Sequence, residues 1–187
     1  MTRIYYVRHA EPNYHNHDDA GRELTAKGHA SCRLVTDFLL DKGIQAILSS
    51  PYRRAVDTIL PFAEAMRLPI RHVQDFRERK VDSAWIDDFE AFTRRQWADF
   101  DFHLDGGESL REVQQRNIAA LSDVLREYAG QAVVIGGHGT AVSTILNHYD
   151  PSFGYKQFDS IRRIMPWIVR MDFDGDSFLR WESIILK

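Results

Sequence analysis

The chain has 187 residues, of which 44% are hydrophobic and 27% are charged, and its net charge is -3. This length suits one domain or one domain with a modest insertion, and the composition is ordinary for a globular protein with a buried core. The charge balance gives no basic footprint for nucleic acid, and no apolar run of about 18 residues predicts a membrane span. The only cysteine is Cys32, which excludes an internal disulfide, and no apolar targeting segment follows Met1. We therefore expect a cytoplasmic protein.

Strand-like and helix-like segments alternate along most of the chain. The predicted strands cover residues 3–8, 45–49, 70–73 and 132–136. The first predicted helix runs from 25 to about 42, and the second begins at 51. Two more run from 108 to about 128 and from 139 to 149. This alternation predicts an α/β fold of three layers, α/β/α, around a mostly parallel central sheet.

Local signals mark where the first two helices begin and end. Thr25 is a good N-cap for the first helix, and Gly43 is a suitable residue to stop it. Pro51 is suited to open the second helix. Pro61 falls inside the second helix, so we expect a kink or a break there, because proline lacks the backbone N–H that a helix interior requires.

Two further segments have distinct patterns. Residues 79–107 mix six aromatic side chains with many charges and show no strand pattern, which indicates a small helical insertion over the rim of the sheet. Residues 161–171 and 177–186 flank Asp174-Gly175-Asp176, a strong hairpin signal. This hairpin is expected to add antiparallel edge strands, which could also pair in a homodimer.

Histidines and arginines follow three of the predicted strands. Arg8-His9 ends the first strand, His138 follows the strand at 132–136, and Arg54 comes shortly after the strand at 45–49. Ligands of open α/β sheets bind outside the carboxyl ends of the strands. The sequence therefore predicts that these side chains converge on one rim, where they would suit a phosphate group.

Phosphoryl transfer needs a nucleophile, donors for the phosphoryl oxygens and an acid for the leaving group. His9 is the candidate nucleophile, because a neutral imidazole can form a covalent intermediate. Arg8 and Arg54 can each offer a fork of donors, and a protonated His138 can bind a further oxygen. Gly139 can present its N–H at a helix N-terminus. Glu78, just beyond the third strand, is the candidate acid.

These residues lie in segments that resemble the histidine phosphatase superfamily, the phosphoglycerate-mutase-like fold. The segments that carry the resemblance, in chain order, are Val7-Arg8-His9-Ala10-Glu11, Leu24-Thr25-Ala26-Lys27-Gly28, Ser49-Ser50-Pro51-Tyr52-Arg53-Arg54-Ala55, Phe76-Arg77-Glu78, Gly107-Glu108-Ser109 and Gly137-His138-Gly139. No single segment identifies the superfamily, but the order and spacing of all six segments are specific to it.

The resemblance implies one histidine phosphatase domain over residues 1–187 and a two-step reaction without a metal or other cofactor. His9 would attack phosphorus and become phosphohistidine. Glu78 would protonate the departing alcohol and then activate water. Arg8, Arg54 and His138 would hold the phosphoryl oxygens throughout.

The chain departs from the family pattern at three points. Ala10 replaces the glycine of the signature, so we expect a backbone angle there that alanine can adopt. The family often places an asparagine on phosphate a few residues later. Spacing selects His15 at that place, with Asn13 and Asn16 as competitors. Asp82 stands where the family often has a glycine after Glu78, so Asp82 and Glu108 remain alternative acids.

Other functions stay open at this stage. The run His15-Asn16-His17-Asp18-Asp19 contains residue types that ligate zinc or nickel, although a mobile polar loop is the preferred interpretation. The short insertion favours a phosphatase for a small phosphorylated metabolite, acting as a monomer or homodimer. A phosphoglycerate-type mutase is the alternative enzyme, and a catalytically weak phosphate-binding protein is the alternative from another class.

Overall fold

A computed structural model describes residues 1–187, and its centre is one six-stranded sheet. The strands are β1 (Thr2–Arg8), β2 (Ile44–Ser49), β3 (Ile70–His72), β4 (Ala132–Gly137), β5 (Trp167–Asp174) and β6 (Ser177–Ile184). Their order across the sheet is β3-β2-β4-β1-β5-β6. The first four strands are mutually parallel, whereas β5 pairs antiparallel with β1 and β6 antiparallel with β5. The predicted mostly parallel sheet with an antiparallel edge hairpin is confirmed.

Six helices surround this sheet. They are α1 (Ala26–Leu39), α2 (Arg53–Met66), α3 (Phe89–Ala98), α4 (Leu110–Glu127), α5 (Gly139–Tyr149) and α6 (Tyr155–Ile161). A single 3₁₀ turn, Gln74–Phe76, follows β3. None of the helices is long and apolar enough to cross a membrane.

Two hydrophobic clusters bury opposite faces of the sheet, and β1 shows how. Successive side chains of a strand point to opposite faces. Ile4 and Tyr6 join the larger cluster with residues of α4 and α5, whereas Tyr5 and Val7 join the smaller cluster with residues of α1 and α2. Helices on both faces of the sheet confirm the three-layer prediction.

The helix ends follow the local signals only in part. Pro51 does not open α2, which begins at Arg53 after Tyr52 as its N-cap. Thr25 caps α1 by accepting a hydrogen bond from the Gly28 N–H, as predicted, although α1 ends at Leu39. The expected break at Pro61 does not occur, since α2 continues past it to Met66. Pro61 lies on the exposed side of α2. The Asp57 carbonyl, which would have bonded an N–H at residue 61, lies 3.7 Å from the Cys32 Sγ donor.

The carboxyl-terminal region needs a second correction. The strand predicted over 161–171 begins only at Trp167, and Ile161 instead ends α6. The apolar Ile161 fits a strand pattern locally, but it is buried with Phe158 and Trp97 in the larger cluster as the last residue of α6. The predicted turn is present, with Gly175 at a positive φ of 56° between β5 and β6.

Candidate active site

An open cavity of about 1050 Å³ lies at the carboxyl ends of β1 and β4. Its walls come from the loop between β1 and α1, the first turns of α2 and α5, and the segments 78–90 and 158–165. Arg8, His9, Arg54, Glu78 and Gly139 all line this cavity. Of the side chains predicted to converge on one rim, Arg8, His9 and Arg54 line the cavity, whereas His138 is fully buried and does not.

His9 is held firmly at the floor of the cavity. Its backbone N–H donates to the Gly137 carbonyl at 3.0 Å, which ties it to the end of β4. Its Nδ1 lies 2.7 Å from the Ala10 carbonyl oxygen. Because a carbonyl can only accept, this contact places the proton on Nδ1 and leaves the lone pair on Nε2. Ala10 has no positive φ, so alanine fits the signature position as expected.

The surroundings of His9 keep its imidazole neutral. Burial, followed by the positive charges of Arg54 and Arg8, holds the pKa of His9 well below its ordinary value of 6.5. Both influences disfavour the imidazolium, which has no lone pair to offer. His9 therefore has the protonation state that a nucleophile needs.

His138 lies beside His9, with the ring centroids 5.4 Å apart and the rings edge to face. Its Nε2 is 2.8 Å from the Ser50 hydroxyl, and its buried Nδ1 has no hydrogen-bond partner. Burial, then the charge of Arg54, holds the pKa of His138 well below 6.5. Phosphate binding by His138 requires a protonated ring, which this environment disfavours, so a dianionic ligand would be needed to favour the imidazolium.

Arg54 stands in the first turn of α2 and is almost fully buried. Its guanidinium lies over the Tyr52 ring, 5.1 Å from the centroid. Nη1 donates to the Asp19 backbone carbonyl, and Nη2 lies 3.1 Å from Asp19 Oδ1. The predicted phosphate ligand is therefore in the cavity, and a carboxylate of the same chain engages it.

Arg8 does not offer the free fork that the sequence suggested. Its Nη1 donates to the carbonyls of Ile161 at 3.0 Å and Ile164 at 3.1 Å, and its Nη2 donates to the Arg162 carbonyl at 2.9 Å. Ile161 is the last residue of α6 and the other two follow it, so Arg8 ties the end of this helix to the end of β1. Only the buried Nε of Arg8 has no partner. The contact to α6 spans more than 150 residues, so local patterns gave no sign of it.

Glu78 and Gly139 meet at the N-terminus of α5. Gly139 is the first residue of that helix, and a Cβ there would lie 2.9 Å from Arg8 Nε, so a larger residue would press on Arg8. Glu78 Oε2 accepts a hydrogen bond from the Thr140 N–H at 3.2 Å, and Oε1 accepts from the Arg79 N–H at 2.9 Å. A half-buried carboxyl is thus fixed beside a helix end that favours anions.

The two alternative acids have different positions. Asp82 lines the cavity, whereas Glu108 does not. Glu108 instead receives hydrogen bonds at 2.9 Å from both Arg77 and Arg116. Burial raises the pKa of Glu108, but the Arg116 hydrogen bond and further contacts outweigh it and leave the pKa below 4.5. Glu108 is a structural carboxylate, which leaves Glu78 and Asp82 as candidate acids.

The choice of His15 as a phosphate ligand is corrected by the structure. His15 is exposed and does not line the cavity, and neither do its competitors Asn13 and Asn16. The two asparagine side chains donate to the Glu23 carboxylate at 2.6 Å and 2.7 Å. The loop folds around Glu23, so counting residues from His9 does not find the side chain that faces the cavity.

Sequence analysis missed a further cation, Arg22. It is buried, lines the cavity, and donates from Nε to the Asn16 carbonyl at 2.7 Å. Burial, followed by the charge of Arg54, lowers the pKa of Arg22 from 12.5. Its position two residues before Leu24-Thr25, the segment that leads into α1, was the available signal. Ser50 was also missed as the partner of His138.

The insertion at 79–107 forms one wall of the cavity, as its predicted position over the rim requires. Trp85 and Phe89 line the cavity, whereas Trp97 packs in the core. The Trp85 ring stacks on His17 with centroids 4.2 Å apart and an angle of 8° between the planes. This contact links the insertion to the loop after β1.

The run of residues from His15 to Asp19 does not gather metal ligands. No three His, Cys, Asp or Glu side chains in the structure are grouped as ligands of one ion would be. His17 stacks on Trp85, and Asp18 accepts hydrogen bonds from the Ala20 and Gly21 N–H groups of its own turn. These side chains shape the loop.

The fold and the cavity define an α/β protein whose ligand site lies at the carboxyl edge of its sheet. Residues 4–181 match the family model described as the histidine phosphatase superfamily (branch 1). The chain belongs to this superfamily, which confirms the resemblance inferred from the sequence motifs.

Named relatives fit the same assignment. The chain is 27% identical over 177 residues to an uncharacterized phosphatase, PhoE, of Bacillus subtilis, covering 92% of this chain and 89% of the relative. It is 31% identical over 164 residues to a probable phosphoglycerate mutase, GpmB, of Salmonella typhi, covering 78% of this chain and 75% of that relative.

Solved structures share the fold. Phosphoserine phosphatase from Entamoeba histolytica, in complex with 3-phosphoglyceric acid, has a TM-score of 0.79 at 18% identity and covers 98% of both chains. A mycobacterial glucosyl-3-phosphoglycerate phosphatase in complex with VO3 has a TM-score of 0.77 at 19% identity, covering 97% of this chain and 96% of the other.

Proposed function

We propose that the protein hydrolyses a small phosphomonoester through a phosphohistidine on His9. The observation that carries this proposal is the hydrogen bond from His9 Nδ1 to the Ala10 carbonyl, at 2.7 Å, in a buried setting that keeps the ring neutral. This bond fixes the tautomer that presents a lone pair on Nε2. Family membership and the phosphatase relative support the same reaction.

In the first step, His9 Nε2 forms a bond to phosphorus as the ester P–O bond breaks. The leaving oxygen takes a proton from Glu78, which the Thr140 and Arg79 N–H groups hold in the cavity. In the second step, water attacks phosphorus and gives a proton to the Glu78 carboxylate. The P–N bond breaks, which returns His9 and releases phosphate.

The surrounding groups stabilise the charge on the phosphoryl oxygens. The Arg54 guanidinium supplies a fork of donors, and the start of α5 at Gly139 supplies backbone N–H groups. His138 lies close enough to His9 to contact the same phosphoryl group. The phosphate dianion would favour a proton on His138, opposing the burial and the Arg54 charge that otherwise favour the neutral ring.

Hydrolysis is preferred to mutase activity because the site is open to water. The cavity of about 1050 Å³ has only a short insertion as its outer wall, and Trp85 in that wall is 58% exposed. The relative named as a probable phosphoglycerate mutase keeps the alternative open. Conversion of one phosphoglycerate isomer into the other without free phosphate would favour the mutase.

The leaving group is expected to be small, with an anionic or polar part. Residues 79–90 and Arg163 add cations and aromatic rings to the cavity beyond His9. We expect a phosphorylated metabolite of the cytoplasm as substrate, no bound cofactor, and a monomer or homodimer in solution. The edge strand β6 is the surface through which a dimer would form.

Release of phosphate from a panel of phosphomonoesters, with excess chelator present, tests this proposal. Replacement of the nucleophile in His9→Ala should lower turnover at least about a thousandfold. His29→Ala, which changes an exposed histidine of α1, is the matched control and should retain full activity. Equal release by wild type and His9→Ala would contradict the proposal, as would activity lost to chelator and restored by a divalent metal.

A further inference from the structure

The Asp19 carboxylate lies between two buried arginines of the cavity. Its Oδ1 is 3.1 Å from Arg54 Nη2 and 3.5 Å from Arg22 Nη1. The Asp19 side chain is 43% exposed, whereas those of Arg54 and Arg22 are only 3% and 9% exposed. The anion is therefore on the open side of the pair, and the two cations are beneath it.

Two buried guanidinium groups need an anion close by. Their charges act on each other, since Arg54 is the second cause, after burial, of the lowered pKa of Arg22. Both arginines line the same cavity as His9. The Asp19 carboxylate places one negative charge beside the two guanidinium groups, whereas a phosphate ester can place two negative charges there.

We propose that the Asp19 carboxylate lies where the substrate phosphate binds, and that the substrate displaces it to bind both Arg54 and Arg22. This inference rests on the proposed function and adds two residues to it. Arg22 becomes a phosphate-binding residue, and Asp19 becomes an internal competitor for the same donors. Weak anions would then leave the Asp19 contact intact, and only a ligand with more charge or better geometry would replace it.

The loop is built so that Asp19 can leave without unfolding its neighbours. Asn13 and Asn16 are fixed to Glu23, and Asp18 holds the turn through the Ala20 and Gly21 N–H groups. None of these bonds uses the Asp19 side chain. A change of the Asp19 side-chain position would therefore be enough to free Nη2 of Arg54, while Nη1 keeps its bond to the Asp19 backbone carbonyl.

The binding of inorganic phosphate, measured by calorimetry, tests the competition. Asp19→Asn removes the charge but keeps the size of the side chain, so phosphate should bind about three- to tenfold more tightly. The inhibition constant for phosphate should fall by the same factor. Asp123→Asn is the matched control, because it removes the same charge from the exposed side of α4, where Asp123 does not line the cavity.

The role of Arg22 is tested separately with Arg22→Gln. Loss of one phosphate-binding guanidinium should weaken phosphate binding about tenfold or more. Arg33→Gln, on the exposed surface of α1 where Arg33 pairs with Asp37, should leave binding unchanged. Thermal melting of each variant shows whether the fold is retained.

The outcomes separate this inference from the proposed function. If turnover depends on His9 but Asp19→Asn binds phosphate with unchanged or weaker affinity, Asp19 serves only to position Arg54 and the inference is overturned. Unchanged phosphate affinity in Arg22→Gln would overturn the role of Arg22. If the wild-type protein neither binds inorganic phosphate nor releases phosphate from any phosphomonoester, the proposed function is overturned together with this inference.

Discussion

The imidazole rings of His9 and His138 lie edge to face, 5.4 Å apart, although 129 positions separate them in the chain. The parallel register of β1 with β4 produces this contact, because Arg8 pairs with Gly137 and each histidine is the next residue along its strand. The two rings therefore meet at the carboxyl ends of adjacent strands. The sheet, not the loops, sets the distance between the two rings.

Glu78→Gln is expected to slow the phosphorylation of His9, because glutamine cannot donate a proton to the leaving oxygen. Loss of a general acid should lower kcat by about 10²- to 10⁴-fold for alkyl phosphates. The loss should be much smaller for an aryl phosphate with an acidic leaving group, which departs without protonation. Rapid-quench measurement of the first turnover on both kinds of substrate checks this prediction.

Asp82→Asn is the natural control for the acid, since Asp82 also lines the cavity. We expect the kcat of Asp82→Asn to depend on the leaving group in the same way as the kcat of the wild type. If Asp82→Asn shows the selective loss on alkyl phosphates and Glu78→Gln does not, Asp82 is the acid.

Stability should fall as the pH is lowered below about 6.5, because His9 and His138 have folded-state pKa values well below that ordinary value. The unfolded chain then binds protons that the folded chain does not. Each histidine contributes a slope of up to about 1.4 kcal/mol per pH unit. Urea unfolding over a series of pH values measures this slope.

The same titration has an internal control. His9→Asn and His138→Asn should each reduce the slope, whereas His29→Asn, at an exposed position, should leave it unchanged. A slope that is equal in all four proteins would show that neither buried histidine has a lowered pKa.

Arg8→Ala is expected to loosen α6, because it removes the donors to the carbonyls of Ile161, Arg162 and Ile164. Hydrogen bonds to a charged group contribute about 1.5–3 kcal/mol each, and they are not additive, so a loss of about 2–4 kcal/mol is expected. Hydrogen exchange should accelerate across 155–164 first. Unchanged exchange in this segment would show that Arg8 does not hold the helix end.

Asp172 offers a prediction about stability away from the cavity. It is fully buried on β5 and accepts from Arg3 at 2.9 Å and from Arg180 at 2.8 Å. Asp172→Ala leaves these cations without their buried partner and should cost about 2–4 kcal/mol. Denaturant unfolding measures the loss, and turnover below the unfolding range should stay normal. Glu182→Ala, which removes an exposed partner of Arg170, should cost less than about 1 kcal/mol.

Much of the fold could be predicted because its signals are local. The strand pattern of Ile4 to Val7, the Thr25 cap and the Asp174-Gly175-Asp176 turn each depend on a few neighbouring residues. The carboxyl ends of parallel strands then bring His9, Arg54 and His138 together by topology alone. Order along the chain was enough to place them on one rim.

The errors arose where distant contacts decide the structure. Arg8 stabilises the end of α6 from the other end of the chain, so neither the helix nor the use of the Arg8 donors was visible locally. Glu23 turns Asn13 and Asn16 away from the cavity, and this defeated the spacing that selected His15. The pairing of Arg54 with Asp19 likewise depends on how the loop folds back over α2.

The central claim is that His9 carries the phosphoryl group between the two half-reactions. Rapid quenching during turnover of an active substrate, followed by peptide mass spectrometry under conditions that preserve phosphohistidine, tests it most directly. The account predicts a phosphoryl group on His9 in wild type, more of it when hydrolysis is slowed, and none in His9→Ala. Normal turnover with no phosphorylated His9, or a phosphoryl group on another residue, would contradict the account.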